Sequence, residues 1–379
     1  METKAMLFSL IKEEIFGSNE NAVIPSAHWE KVYALACLHD LGHIPASALE
    51  RKGAAGQDEL SQRMFKTQMT ALYRYELNCH ELKAICRVLT EEQIPHMLLK
   101  GSVIRDLYPK PYLRTSCDID LLVKEEDLAK SAAALEAKLG YTASKEPAFH
   151  DLSLYSPSGV HLELHFNLLE HSMPMDSVLS RVWEFSLLRE GYTYVQEAAF
   201  LLFHTVAHMA YHFSHGGCGI KPFMDLKLLH DKADYDKEVF SSLCRQAGLG
   251  EFYEQALRLC EVWFGAGTHT PLTLQMEAYL LRGGVYGSTE NHVALERQRA
   301  GGKLRYALKR IWMPREQMEL RYPRMKKSVW LFPWYQLRRW VETVFGGRLK
   351  HAAGEMKANR MISEDASLRT DEMMKQLGL

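Results

Sequence analysis

Between residues 96 and 167 the spacing of the apolar residues changes, and that change constrains the fold more than any other feature of the chain. Just before it, Met64, Met69, Leu72, Tyr75, Leu82, Ile85 and Leu89 recur at close to the helical repeat, which predicts one long amphipathic helix over residues 60–92. Then His96 to Lys100 (HMLLK) forms a short apolar run closed by Gly101-Ser102, a buried strand entering a tight turn. Cys117 to Val123 (CDIDLLV) alternates and then becomes wholly apolar, as a half-exposed strand entering a core does. A helix is expected over Glu125 to Leu139, with Gly140 at its C-terminal cap. Phe149 to Tyr155 and Val160 to Asn167 flank Ser156-Pro157-Ser158-Gly159 and read as a hairpin. From about Ser177 onward the pattern is helical almost throughout.

The expected class is therefore α+β, a small mixed sheet between N-terminal helices and a mostly helical C-terminal region. The expected parts are a helical segment over 1–60 with a soft boundary at Arg51 to Gln57, and a sheet core with its preceding helix over 61–172. A helical domain over 173–296, a basic arm over 297–350 and a polar, fraying tail over 351–379 complete the chain. Composition removes several classes. With 46 Lys+Arg against 47 Asp+Glu the net charge is -1, so this is not a uniformly basic polyanion binder. With 47% apolar residues it is not a disordered chain. Seven scattered cysteines, never spaced C-x-x-C, suggest neither a disulfide framework nor a zinc ribbon and fit a reducing cytoplasm. The first residues, METKAMLFSLIKEEIFG, read as an amphipathic helix rather than a signal peptide, and no uncharged apolar run is long enough to span a bilayer.

Three features carry chemistry. At Lys100-Gly101-Ser102 a glycine lets backbone amides approach a phosphate, the short helical stretch after it favours an anion, and Ser102 adds a hydroxyl. By itself such a turn is ordinary. In Asp118-Ile119-Asp120 the two carboxylates share a strand face while Ile119 points to the core, and a shared divalent cation is the simplest way to keep both ionised. Oxygen ligands suit magnesium. In Val160 to Phe166, His161, Glu163 and His165 form the polar face, and Glu163 can complete a three-carboxylate metal site.

The segment LLKGSVIRDLYPKPYLRTSCDIDLLV followed by GVHLELHFNL resembles the nucleotidyltransferase superfamily typified by DNA polymerase β. More narrowly it is similar to a bacterial family of uncharacterised nucleotidyltransferases, over roughly residues 60 to 340. Leu98 to Gly101, Tyr108-Pro109, Arg114 and Asp118 to Val123 carry that likeness, and the helix bearing His204 and His208 agrees with it. The resemblance implies an enzyme that moves a nucleoside monophosphate from a triphosphate, with ATP the first candidate, to an acceptor hydroxyl. It implies that Gly101 and Ser102 hold the β- and γ-phosphates, with Lys100 and Arg114 meeting the phosphates. Asp118 and Asp120 would bind two magnesium ions, with manganese as a substitute. Glu163 would bind the catalytic metal and help deprotonate the acceptor. Fifteen residues separate Ser102 from Asp118, longer than in many superfamily members, so the Tyr108 to Ser116 loop is expected to shape a substrate pocket. Two other readings stand beside this one. A non-catalytic nucleotide-binding scaffold would use the same fold. A metal-dependent glycosyltransferase would need a β-α-β unit upstream of its D-x-D, where this chain is helical with one short strand.

His204, His208 and His212 stand four apart and, with His215, could ligate a transition metal, but no H-E-x-x-H occurs and core or cleft-lining histidines are the better reading. Asp225 is expected to cap or orient a helix, with a role near the nucleotide implied by the likeness alone. Residues 297–350 hold 15 Lys+Arg, only Glu316, Glu319 and Glu342 as carboxylates, and Trp312, Trp330, Trp334 and Trp340. That mixture suits single-stranded nucleic acid, an anionic membrane, or packing against the protein's own core.

Overall fold

The computed structural model describes residues 2–19, 22–53, 56–144, 148–169, 173–285, 287–315, 318–319, 322, 325, 329–345 and 349–379. Glu316, counted in the basic arm, lies outside the described residues. The chain forms two compact units: Met1–Tyr211 with Gly219–Leu274 and Gly378, and His212–Cys218 with Gln275–Leu377 and Leu379.

The larger unit opens with α1 (Thr3–Phe16), α2 (Trp29–Leu38) and α3 (His43–Arg51). Leu7, Ile11 and Ile15 of α1 are buried where it packs on its neighbours. The long helix α4 (Glu59–Glu91) starts at Asp58, whose carboxylate accepts the Ser61 amide at 3.0 Å and satisfies one of the free amides of the first turn. The strands are β1 (His96–Leu98), β2 (Asp118–Val123), β3 (Thr142–Ala143), β4 (Asp151–Tyr155), β5 (His161–His165), β6 (Ser186–Glu190) and β7 (Thr193–Gln196). They form one sheet in the order β3-β4-β5-β2-β1-β7-β6. β2 runs antiparallel to β1 and parallel to β5, and β1 runs parallel to β7. The mixed sheet with helices bears out the α+β expectation.

Between β1 and β2 lies the single-turn helix α5 (Gly101–Ile104). After β2 comes α6 (Leu128–Leu139), which ends at Gly140 in the left-handed region at φ 70°. Side chains alternate across a strand, so one sheet face takes Ile119, Leu121 and Val123 of β2 with Leu162 and Leu164 of β5. These pack with Ile85, Val88 and Leu89 of α4 and Leu135 of α6 in a single core. The other face takes Asp118 and Asp120 with His161, Glu163 and His165, and the buried Leu122 lies on it beside His165. The unit continues through α7 (Asp176–Leu179), α8 (Ala198–Phe213), α9 (Lys221–Lys232), α10 (Lys237–Gln246), α11 (Gly250–Phe264) and the start of α12 (Pro271–Leu281).

β6 and β7 correct the expectation of helix after Ser177. β7 holds only Thr-Tyr-Val-Gln, too short for a period to register, and β6 exposes Leu187 and Leu188, so it does not alternate as a half-buried strand should. The smaller unit contains α13 (Thr289–Arg299), α14 (Lys303–Ile311), α15 (Phe332–Phe345), α16 (Leu349–Met361) and α17 (Glu364–Gln376). The tail expected to fray is instead these last two helices, which pack on α13 and bury Met373, Met374 and Leu377. Among the described residues no helix is long and apolar enough to cross a membrane.

Candidate active site

The pairing of β2 with β5 sets the site. Asp118 stands opposite His161, Asp120 opposite Glu163 and Leu122 opposite His165. Adjacent strands lie about 4.8 Å apart, so these side chains meet on the face turned away from the core. Two triads result, Asp118–His161–Glu163 and Asp120–Glu163–His165, and within each the donor atoms lie within 4.8 Å of one another. Glu163 belongs to both.

Charge crowding is visible in the acidities. Burial, then Asp120 and Asp118, pushes the Glu163 carboxyl up to about 7. Burial works the same way on Asp120, but there the hydrogen bond from His165 and the charge of Lys100 win and hold it well below the usual carboxylate range. His165 Nε2 donates to Asp120 Oδ1 at 3.1 Å and lies 3.6 Å from Glu163 Oε2. Its ring stacks on His150 at 5.4 Å, and Tyr155 stacks on His161 at 4.8 Å. Ser116 Oγ donates to Asp118 Oδ1 at 2.8 Å.

This donor set fits a hard divalent cation. Three carboxylates supply oxygens, and the Glu163 carboxyl is raised first by burial and then by the charges of Asp120 and Asp118, which a bound cation would offset. Beside them, His161 Nε2 and His165 Nδ1 are buried without a protein hydrogen-bond partner. The carboxylates suit magnesium or manganese, whereas imidazoles suit borderline transition metals.

The Leu99 amide donates to the Asp120 carbonyl at 3.4 Å, so the Lys100-Gly101-Ser102 turn starts alongside the carboxylates. Lys100 sits at φ 28° and ψ -102°, a strained backbone for a residue with a Cβ. Its ammonium donates to His208 Nδ1 at 3.1 Å. The Ser102 amide turns back onto the Leu99 carbonyl at 3.0 Å, so the hydroxyl of Ser102 and the amide of Gly101 are its groups for a ligand. Arg114 feels the Asp120 charge but makes its ion pair elsewhere. Its guanidinium clasps Asp225 of α9, Nη2 donating at 2.8 Å and Nε at 3.3 Å, and Tyr108 donates to the same carboxylate at 2.7 Å.

The histidine stripe divides. His204 is buried and pairs with Gln196, whereas His208 meets Lys100; burial, then the Lys100 charge, holds both well below their ordinary value. His212 and His215 belong to the smaller unit. Sequence reasoning assigned no role to His161 or His165, although their position two residues either side of Glu163 on one strand face was the signal.

Residues 25–265 match the model of a family described as "Uncharacterised nucleotidyltransferase", well over half of the chain. The chain belongs to that family. No curated protein and no solved structure matches it. The nucleotidyltransferase match begins ahead of α2 and ends at the close of α11. It therefore spans both triads, the Lys100–Ser102 turn and Asp225, and stops short of α13 to α17.

Proposed function

We propose that this nucleotidyltransferase moves a nucleoside monophosphate from a triphosphate, ATP being the first candidate, onto a hydroxyl of an acceptor, with release of pyrophosphate. The observation that carries the reading is the register of Asp120 opposite Glu163, with Asp118 on the same face, in a chain of this family. Asp118, Asp120 and Glu163 hold the metal. When bound, two magnesium ions, or manganese in their place, supply the charge that activates the attacking oxygen and neutralises the departing pyrophosphate. The Gly101 amide, the Ser102 hydroxyl and the Lys100 ammonium receive the β- and γ-phosphates. Arg114, held by Asp225 through Nε and Nη2, keeps Nη1 beside that turn to meet the phosphates. Glu163, common to both triads, takes the proton of the acceptor hydroxyl.

The test is the double substitution Asp118→Asn/Asp120→Asn, assayed with labelled triphosphates and a cell extract as acceptor source. Pyrophosphate release should fall at least about a thousandfold, since removing the groups that hold transition-state charge costs several kcal/mol. Thermal unfolding should stay close to that of the parent. Undiminished release in the folded double variant would remove the assignment. Triphosphate binding by the parent without release across broad acceptors would favour a scaffold instead.

A further inference from the structure

α15 is built inside out. Its two buried residues are polar: Gln336 is fully buried with Nε2 donating to the Met313 carbonyl at 2.5 Å, and Arg339, 8% exposed, donates to the carbonyls of Arg310 and Ile311, while Phe332 and Tyr335 pack half-buried on Met318, Tyr322 and Met325. Its outward side carries Trp334, Leu337, Trp340, Val341, Val344 and Phe345, between 37% and 84% exposed. α14 repeats the pattern. Leu304, Leu308 and Ile311 stand at i, i+4 and i+7, 54% to 73% exposed, while Tyr306 points inward. Trp340 Nε1 donates to the Ile311 carbonyl at 2.8 Å, and Trp312 meets the Trp340 ring edge-on at 5.9 Å, so the two stripes join into one surface. An amphipathic helix normally buries its apolar side. A continuous apolar surface of this kind marks an interaction site.

Charge and side-chain type select the occupant. Residues 297–350 carry a net +12, and Lys303, Arg305 and Lys309 are exposed beside the α14 stripe. A second copy of the chain would cover the apolar side chains but would set the exposed Lys303, Arg305 and Lys309 against their own copies. A single-stranded nucleic acid would match the charge and stack on the tryptophans. It would leave Leu304, Leu308, Ile311, Leu337, Val341 and Val344 wet, because aliphatic side chains offer no ring face to a base. An anionic bilayer surface satisfies both demands. Aliphatic side chains enter the acyl boundary, tryptophans sit at headgroup depth, and lysines and arginines reach the lipid phosphates. We infer that α14 and α15 form a docking surface for anionic phospholipid membranes, lying in the interface without crossing it. With 9 and 14 residues, neither helix is long enough to span.

The test uses the full chain and reads binding, not turnover, so its failure is separate from any failure of the nucleotidyl-transfer reading. The protein is floated with vesicles of phosphatidylcholine plus phosphatidylglycerol and with vesicles of phosphatidylcholine alone, while tryptophan emission is followed. Binding should be about tenfold or more stronger on the anionic vesicles, with a blue shift, and should weaken with salt. Leu337→Glu/Val341→Glu should lower the partition about tenfold or more, and Leu304→Glu/Leu308→Glu, on the other helix, should do the same. All four positions are exposed, and circular dichroism checks that helix content is kept. Absence of flotation on anionic vesicles at low salt would overturn the inference. So would flotation unchanged in both variants, a dimer that these substitutions dissociate, or oligonucleotide binding without vesicle binding.

Discussion

Asp225 supports the Gly101 turn from 111 residues beyond its partner Arg114. A Cβ on Gly101 would fall 2.5 Å from Arg114 Nη1, so only a glycine lets the turn rest on the guanidinium. The Arg114 side chain is 13% exposed and that of Asp225 5%. Burial works against the Arg114 charge, yet Asp225 wins and keeps it protonated. For a buried pair, removing one member strands the other, whereas removing both with apolar groups of similar volume is close to neutral. Asp225→Ala should therefore cost about 3 to 5 kcal/mol in urea unfolding. Asp225→Leu/Arg114→Met should regain most of that loss. Equal losses in the single and double variants would mean that the pair is not the support. Lys100, Gly101, Ser102, Asp118, Asp120 and Glu163 were legible because each lies in a short run whose period fixes its face. The Arg114–Asp225 clasp was not, since α9 must fold back over the turn and no local pattern encodes its partner. Two nitrogens of the Arg114 guanidinium close on Asp225, and the third, Nη1, lies beside Gly101.

β1, β2, β4 and β5, with α4 and α6, could be read from spacing to within a few residues, because each buries one face against the same core and so repeats at its own period. β6 and β7 escaped for the opposite reason: their place is set by pairing, β7 running parallel to β1 and β6 closing the sheet edge against β7. α16 and α17 looked like a fraying tail because their buried residues are few and their remaining faces polar. The joint between α2 and α3 shows what spacing conceals about ionisation. His39 is fully buried with neither ring nitrogen hydrogen-bonded, and His43 is buried with Nε2 donating to the Leu113 carbonyl at 2.8 Å. Burial lowers each from 6.5 to about 4. Above pH 6.5 both are neutral folded or unfolded, and nothing is gained. Between 6.5 and about 4 the unfolded chain takes protons that the folded chain refuses, so stability falls with falling pH, by about 3 kcal/mol per histidine at most. His39→Leu should remove one such loss: its stability relative to the parent should rise from pH 7.5 to pH 5. A difference in melting that does not change with pH would exclude this account.

The net charge of -1 is the sum of two unlike parts, +12 from residues 297–350 and -13 from the other 44 acidic and 31 basic residues. The carboxylate triads lie in the larger unit, and α14 and α15 in the smaller one. On the proposed reading an anionic triphosphate would approach a face that already carries Asp118, Asp120 and Glu163, so its affinity should depend on a divalent cation. A bilayer needs no such ion to meet lysine and arginine. The two properties should therefore come apart. Chelation, or Asp118→Asn/Asp120→Asn, should abolish triphosphate binding in calorimetry and leave vesicle flotation as it was. Leu337→Glu/Val341→Glu should do the reverse, lowering flotation while triphosphate affinity stays within about twofold, as for substitutions that share no partner. If either variant lowers both properties together while remaining folded, triphosphate binding and vesicle binding are not independent properties of the two units, and their assignment to separate surfaces falls.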